Sequence, residues 1–311
     1  MNERNESTWL DSLKGFLGVG EDSHVEKAEE QTSDVEDIVA DVIKQIEADT
    51  ADIPAIVNKR AKRTITVLSG KGGVGKTTTL LGLAGAAEEN GLRVLLIDLD
   101  PQGSLTLAAL DRSNTPTVRE AFNGKKLSQL STPAVWKEYR GSVDIVPASR
   151  ALAEVEGYVE PKTGTPRLTA QIGDLSSYDI VLIDAPATLN ALTFEAIALA
   201  NTVLVVAEPT LFSLRSASDA INFALAARRA RAGFVRKVFV ALNKVDGTEE
   251  SAYRVREIKR MFPNLVLKAF VESSQAINEA SGSGLPVHAM PGVKARRSAD
   301  QFNELLDELT V

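Results

Sequence analysis

The densest chemical signal in the chain is the run Gly70-Lys71-Gly72-Gly73-Val74-Gly75-Lys76-Thr77-Thr78. Gly70 and Gly75, followed directly by Lys76 and Thr77, have the spacing of a phosphate-cradling loop. Glycines let the backbone curl so that successive amides point at phosphate oxygens. A helix opening behind the loop adds its positive end. In such a loop Lys76 would neutralise the β and γ phosphates of ATP, and the Thr77 hydroxyl would ligate Mg²⁺. An ordinary glycine turn can carry the same letters. It is seldom placed, as here, between a β-branched run (Ile65 to Leu68) and a helix-length segment.

Two carboxylate sites follow at the ends of later apolar runs. Val94 to Ile97 leads into Asp98-Leu99-Asp100-Pro101-Gln102-Gly103, and Ile180 to Ile183 leads into Asp184-Ala185-Pro186. A carboxylate at a strand end beside a phosphate loop can hold Mg²⁺ directly or through water. A second can orient or deprotonate an attacking water. Aspartate after a strand is often only a helix cap, but in this order behind a phosphate loop the metal and water roles are expected.

These residues need a frame. Apolar runs at Ile65 to Leu68, Val94 to Ile97, Val143 to Val146, Ile180 to Ile183, Val203 to Val206, Val238 to Leu242 and Leu265 to Phe270 alternate with helix-length segments. That pattern predicts an α/β fold, a mostly parallel sheet with helices on both faces. Ligands of such sheets bind at the carboxyl ends of the strands, where all three motifs fall. With 311 residues, 44% hydrophobic and 25% charged, the chain can bury one substantial core. No apolar stretch is long enough to span a membrane, and the N-terminus lacks the apolar segment of a secretory signal. The absence of cysteine excludes disulfides, thiolate metal sites and cysteine-held iron–sulfur clusters. A cytoplasmic protein is expected.

Charge divides the chain in two. Residues 1 to 60 hold 15 Asp or Glu against 6 Lys or Arg, whereas the remainder holds 27 against 29. The net charge of −7 therefore belongs to the N-terminal extension, and residues 61 to 311 form a near-neutral body. Within the extension, Trp9, Leu10, Leu13, Phe16 and Leu17 have helical spacing, as do Val35, Ile38, Val39, Val42, Ile43 and Ile46. The acidic stretch between them, Glu21 to Asp34, reads as disordered.

With the motifs in place, the body resembles the ParA/Soj branch of the deviant Walker A ATPases, a P-loop NTPase group that also contains MinD. Lys71 matches that family's extra lysine, Asp98 to Gly103 its second motif, and Ile180 to Pro186 its Walker B strand. The likeness runs from about Ile65 to the C-terminus. It implies a slow, partner-stimulated ATPase using ATP and Mg²⁺. Lys71 would reach the partner's nucleotide across a homodimer formed in the ATP state, and Asp100 would orient the hydrolytic water. Gly70 to Thr78 would bind phosphate, and Thr77, Asp98 and Asp184 would serve the metal. Asn243 and the Pro286 loop lie where the family often places adenine contacts, although Asn243 could equally be a strand-end cap. Ser69-Gly70, Ala187 and Asn190 depart from the usual ParA residues, the first in the direction of MinD.

The resemblance further implies that the ATP-state dimer binds double-stranded DNA without sequence preference, associates with the nucleoid, and is released by a ParB-like or other adaptor. Candidate DNA contacts are Arg215, Arg228, Arg254, Arg256, Arg296 and Arg297, since non-specific binding needs only cations that displace counterions. The alternative is a MinD-like membrane cycle. Against it stands the final helix, where Phe302, Leu305, Leu306 and Leu309 alternate with acidic rather than basic residues. Trp9 to Leu17 is expected to dock on a partner or on the body rather than on lipid.

Overall fold

The computed structural model describes residues 63–111, 115–136, 142–156, 167–229 and 235–310. The N-terminal extension, with its two expected amphipathic helices, lies outside them. Eight strands form one sheet: β1 (Arg63–Leu68), β2 (Val94–Asp98), β3 (Thr132–Pro133), β4 (Val143–Val146), β5 (Ile180–Asp184), β6 (Thr202–Ala207), β7 (Lys237–Val245) and β8 (Val266–Glu272). Their order is β3-β4-β2-β5-β1-β6-β7-β8. All pairings are parallel except that of β3 with β4. The helices are α1 (Lys76–Glu89), α2 (Ser104–Ala109), α3 (Leu152–Glu156), α4 (Ala191–Leu199), α5 (Leu211–Arg229), α6 (Glu249–Met261), α7 (Gln275–Gly282) and α8 (Val293–Thr310).

The central strands are buried on both faces, which is why they read as unbroken apolar runs. Along β1 the side chains still alternate between two cores. Ile65 and Val67 join Leu80, Leu83, Ile277, Phe302 and Leu306 on the face covered by α1, α7 and α8. Leu68 joins Leu192, Ile197, Ile221, Leu225 and Ile258 on the face covered by α4, α5 and α6. Between them Thr66 is buried, and its hydroxyl donates to the Ala196 carbonyl of α4 at 2.7 Å. Each fully buried Leu or Phe contributes about 1.5–3 kcal/mol against exposure, so these two layers hold β1 at the centre.

The last helix is part of this core. Phe302, Leu305, Leu306 and Leu309 of α8 are all buried, so its apolar stripe faces the sheet. Its acidic side closes the edge of the sheet. Glu308 accepts from the amides of Lys268 and Ala269 at 2.9 and 2.6 Å, and Gln301 accepts from the amide of Glu272 at 3.0 Å. At the opposite edge β3 is two residues long and includes Pro133, which has no amide to offer. Among the described residues no helix is long and apolar enough to cross a membrane.

Candidate nucleotide site

Three strand ends converge in the middle of the sheet. β1, β2 and β5 are neighbours, with β5 between the other two, so the phosphate loop, the Asp98 loop and Asp184 emerge side by side. Asp98 and Asp184 are register partners on adjacent strands. The backbone fixes this convergence before any side chain is considered.

The phosphate loop is shaped by its surroundings. Gly75 has φ +91°, and a Cβ there would stand 2.1 Å from Nδ2 of Asn243. That amide nitrogen donates instead to the carbonyl of Val74 at 2.8 Å. Gly70 meets a different wall, since a Cβ there would be 2.3 Å from the carbonyl oxygen of Ser216 in α5. Within the loop, Ser69 Oγ donates to the Lys71 carbonyl at 2.7 Å, while Lys71 itself, Gly72 and Gly73 are exposed. Lys76 opens α1 and is only 8% exposed, so its ammonium is held in the site rather than in solvent.

Thr77, in the first turn of α1, donates from Oγ1 to Oδ2 of Asp184 at 2.7 Å. The other oxygen of that carboxylate, Oδ1, is buried without a hydrogen-bond partner. Burial pushes the Asp184 carboxyl above the usual carboxylate range, while the Lys76 ammonium and the Thr77 hydroxyl hold it down. An unpartnered buried oxygen beside a threonine hydroxyl at a phosphate loop fits the donor set that Mg²⁺ takes in such sites.

Asp98, expected to serve the metal, also shapes the loop that follows it. It is fully buried, with Oδ1 accepting from the amide of Asp100 at 3.0 Å. Its Oδ2 accepts from the amide and the hydroxyl of Thr106 at 2.8 and 2.7 Å. Both oxygens are thus engaged in folding the loop that carries Asp100. Burial, and then the neighbouring charge of Asp184, push its carboxyl upward. Asp100 is half-buried, and its Oδ1 accepts from the amide of Gln102 at 2.9 Å. Thr106 lies eight residues beyond Asp98 and carries no signal of its own in the sequence.

Asn243 and Pro286 flank this centre from other elements. Asn243 is buried near the end of β7, with its donor end turned into the loop, so that only Oδ1 is left to accept. Pro286 is buried at the start of the turn Val287–Ala289, where His288 contacts Asn303 of α8 at 3.2 Å.

The basic candidates separate by environment. Arg215 in α5 and Arg256 in α6 are exposed. Arg254 is not a free cation: its side chain is 11% exposed and donates to Glu250 and Glu257, both at 2.8 Å. Its charge is already shared with two carboxylates. Arg296 pairs with Glu89 at 2.6 Å and with Asp300 at 3.2 Å, and Arg297 pairs with Glu272 at 2.8 Å, though both remain mostly exposed. The side chain of Arg228 lies outside the described residues.

Comparison with known proteins agrees with this geometry. Residues 62–231 match a family model described as an AAA domain. The chain is 30% identical over 256 residues to the chromosome-partitioning ATPase Soj of Thermus thermophilus, an overlap of 80% of this chain and 99% of that one. To the chromosome partitioning protein ParA of Myxococcus xanthus it is 29% identical over 232 residues, or 72% of this chain and 80% of the other. Among solved structures, an ATP complex of Cyanothece McdA superposes with a TM-score of 0.70 at 20% identity, over 81% of this chain and 97% of that one. At that identity the likeness is one of fold. The motifs, the sheet order and the length of the aligned region lead to one assignment: this chain belongs to the ParA/Soj family of partition ATPases.

Proposed function

We propose that the chain is an ATP-driven dimerising switch for DNA partition or cargo positioning, which binds DNA non-specifically in its ATP state and leaves it on hydrolysis. The observation that carries this reading is the centre formed by Lys76, Thr77 and Asp184, with Lys71 left exposed at its rim. Lys76 and the loop amides would take the β and γ phosphates. Thr77 and Asp184 would hold Mg²⁺, with Asp98 supporting that shell from behind and shaping the Asp100 loop. When bound, the ion supplies positive charge that offsets the charge building up on the triphosphate.

Asp100 stands at the end of β2, beside that centre, on a loop that Asp98 holds in place. In this reading it orients the water that attacks the terminal phosphate. Lys71 is exposed and its backbone carbonyl is fixed by Ser69. An exposed cation at the rim can neutralise a second triphosphate, which couples nucleotide binding to pairing of two chains. Slow turnover then serves as a timer, and an adaptor that completes the site would shorten it. For the base, Asn243 Oδ1 and the Pro286 loop are the proposed contacts, an acceptor being suited to the exocyclic amine of adenine.

The test is binding to random-sequence duplex DNA with ATP, with ADP and without nucleotide, across a salt series, using Asp100→Ala to hold the ATP state. Tight, ATP-dependent binding that weakens steeply with salt is expected. Equal binding in all three states, or none, overturns the DNA arm. Direct titration of ATP with Mg²⁺ tests the nucleotide arm separately.

A further inference from the structure

Lys244 is the one non-glycine among the described residues with a left-handed backbone, φ 56°. It sits one residue beyond Asn243, close to the end of β7. L-residues adopt that conformation only when the surroundings over-determine it, and such positions concentrate at ligand clamps and switches. Here the reason is visible in the side chain. The ammonium donates to the carbonyl of Gly73, inside the phosphate loop, at 2.6 Å, and to Oε1 of Glu208 at 2.6 Å. A lysine has three donors and no acceptor, so one ammonium can bridge a carbonyl and a carboxylate in this way.

Glu208 lies just past the end of β6, at the entry to α5. Its amide accepts no slack either: it donates to Oγ of Ser213, a residue 1% exposed in the first turn of that helix, at 2.9 Å. The next turn of α5 also touches the loop, because the Ser216 carbonyl fills the space a side chain at Gly70 would need. The phosphate loop is therefore tied to α5 twice, once by direct packing at Gly70 and once through Lys244 and Glu208 at Gly73. On its outer side the start of α5 presents Leu211 and Phe212, 56% and 77% exposed, followed by the exposed Arg215.

We propose that Lys244 is a positioning residue for the phosphate loop and, with Glu208, the link by which the loop and the exposed first turn of α5 sense each other. The carbonyl of Gly73 faces away from bound phosphate when its peptide's amide faces toward it. Holding that carbonyl on an ammonium therefore biases the loop toward the phosphate-binding curl. Phosphate in the loop in turn favours the arrangement in which the Lys244–Glu208 pair is closed and the first turn of α5 is held. By reciprocity, holding the first turn of α5 in that arrangement favours nucleotide by the factor that nucleotide favours the held turn. This rests on the reading of the loop as a triphosphate site.

The experiment is hydrogen exchange on the full chain with and without ATP and Mg²⁺, read separately over the loop and over residues 208–216. ATP should slow exchange in both segments of the unaltered protein, by about tenfold in the α5 segment, a change ordinary for a local opening equilibrium. Lys244→Met, which keeps the stem and removes the charge, should still show loop protection at saturating ATP. It should lose the α5 protection, and its ATP dissociation constant should rise severalfold. Glu208→Gln should reproduce the loss at α5 from outside the loop, and it stands in if Lys244→Met does not fold. Lys244→Arg, which restores a cation, should recover part of it. Full α5 protection in both charge-removing variants, or none in the unaltered chain while ATP binds, overturns the proposal. If the unaltered chain binds no ATP by direct titration, the triphosphate reading fails instead, and with it the premise of the link.

Discussion

Thr77 Oγ1 donates to Asp184 Oδ2 across 2.7 Å, joining the first turn of α1 to the end of β5. The bond leaves the second carboxylate oxygen buried with no partner. An unpaired buried acceptor is costly in the isolated chain, and a cation at that oxygen removes the cost. Folding strain and ligand affinity thus meet at one atom.

Removing the hydroxyl should therefore damage metal-dependent binding more than stability. For Thr77→Ala, affinity for ATP in the presence of Mg²⁺ is expected to fall about 10–100-fold, the usual effect of losing a group that orients a metal ligand. Affinity measured with EDTA should change little. Titration of a fluorescent ATP analogue in both conditions separates the two. Equal losses with and without metal would show that the hydroxyl serves only the loop.

Gly75→Ala should fail for two reasons that act together. The position has φ +91°, and the added methyl would fall 2.1 Å from Asn243 Nδ2. Strained backbone of this kind costs on the order of 1–3 kcal/mol. The melting temperature should drop by roughly 2–4 °C for each kcal/mol in a domain of this size, and ATP binding should be lost. Adding Asn243→Ala makes room for the methyl but not for the dihedral, so partial recovery of stability without recovery of binding is expected.

Arg215→Ala and Arg254→Ala should part company. Arg215 is exposed, so its loss should weaken DNA binding in the ATP state and reduce the salt slope by about one. Arg254 is spent on Glu250 and Glu257. Its removal should leave the salt slope unchanged and lower the urea midpoint, because two carboxylates lose their counter-charge. A reduced salt slope for Arg254→Ala would show that it meets DNA despite its two carboxylates.

Acid should destabilise the fold through His288. Burial lowers the pKa of its imidazole, outweighing the opposing pull of Asn303 and Glu89. A depressed folded-state pKa means that the unfolded chain takes up the proton first. The stabilisation is fully present above the unfolded value of about 6.5 and is lost as pH falls through the folded one. Urea midpoints should therefore drop more between pH 7 and pH 5 in the unaltered protein than in His288→Gln. Parallel drops would place the acid sensitivity elsewhere.

How far the sequence reaches depends on whether a feature is periodic, local or relational. Seven of the eight described strands coincide with apolar runs, most clearly the central ones, which are buried on both faces and have no polar side to interrupt them. The strand Thr132–Pro133 left no trace, since two residues cannot show a period. The phosphate loop was legible because its spacing is local. The bonds between Asp98 and Thr106 were not, because that partner is set by the turn of the loop and not by spacing in the letters. The two ion pairs of Arg254 were hidden for the same reason. Sequence shows a charge, but only packing shows whether that charge already has company.

The two edges of the sheet carry a last consequence. At one edge the amides of Lys268, Ala269 and Glu272 are consumed by side chains of α8; at the other stands a two-residue strand with a proline. Exposed strand edges are templates on which further copies of a chain can grow. With both borders blunted, the described sheet offers a second copy little open ladder on which to add a strand, so a high concentration of the chain is less prone to irreversible growth.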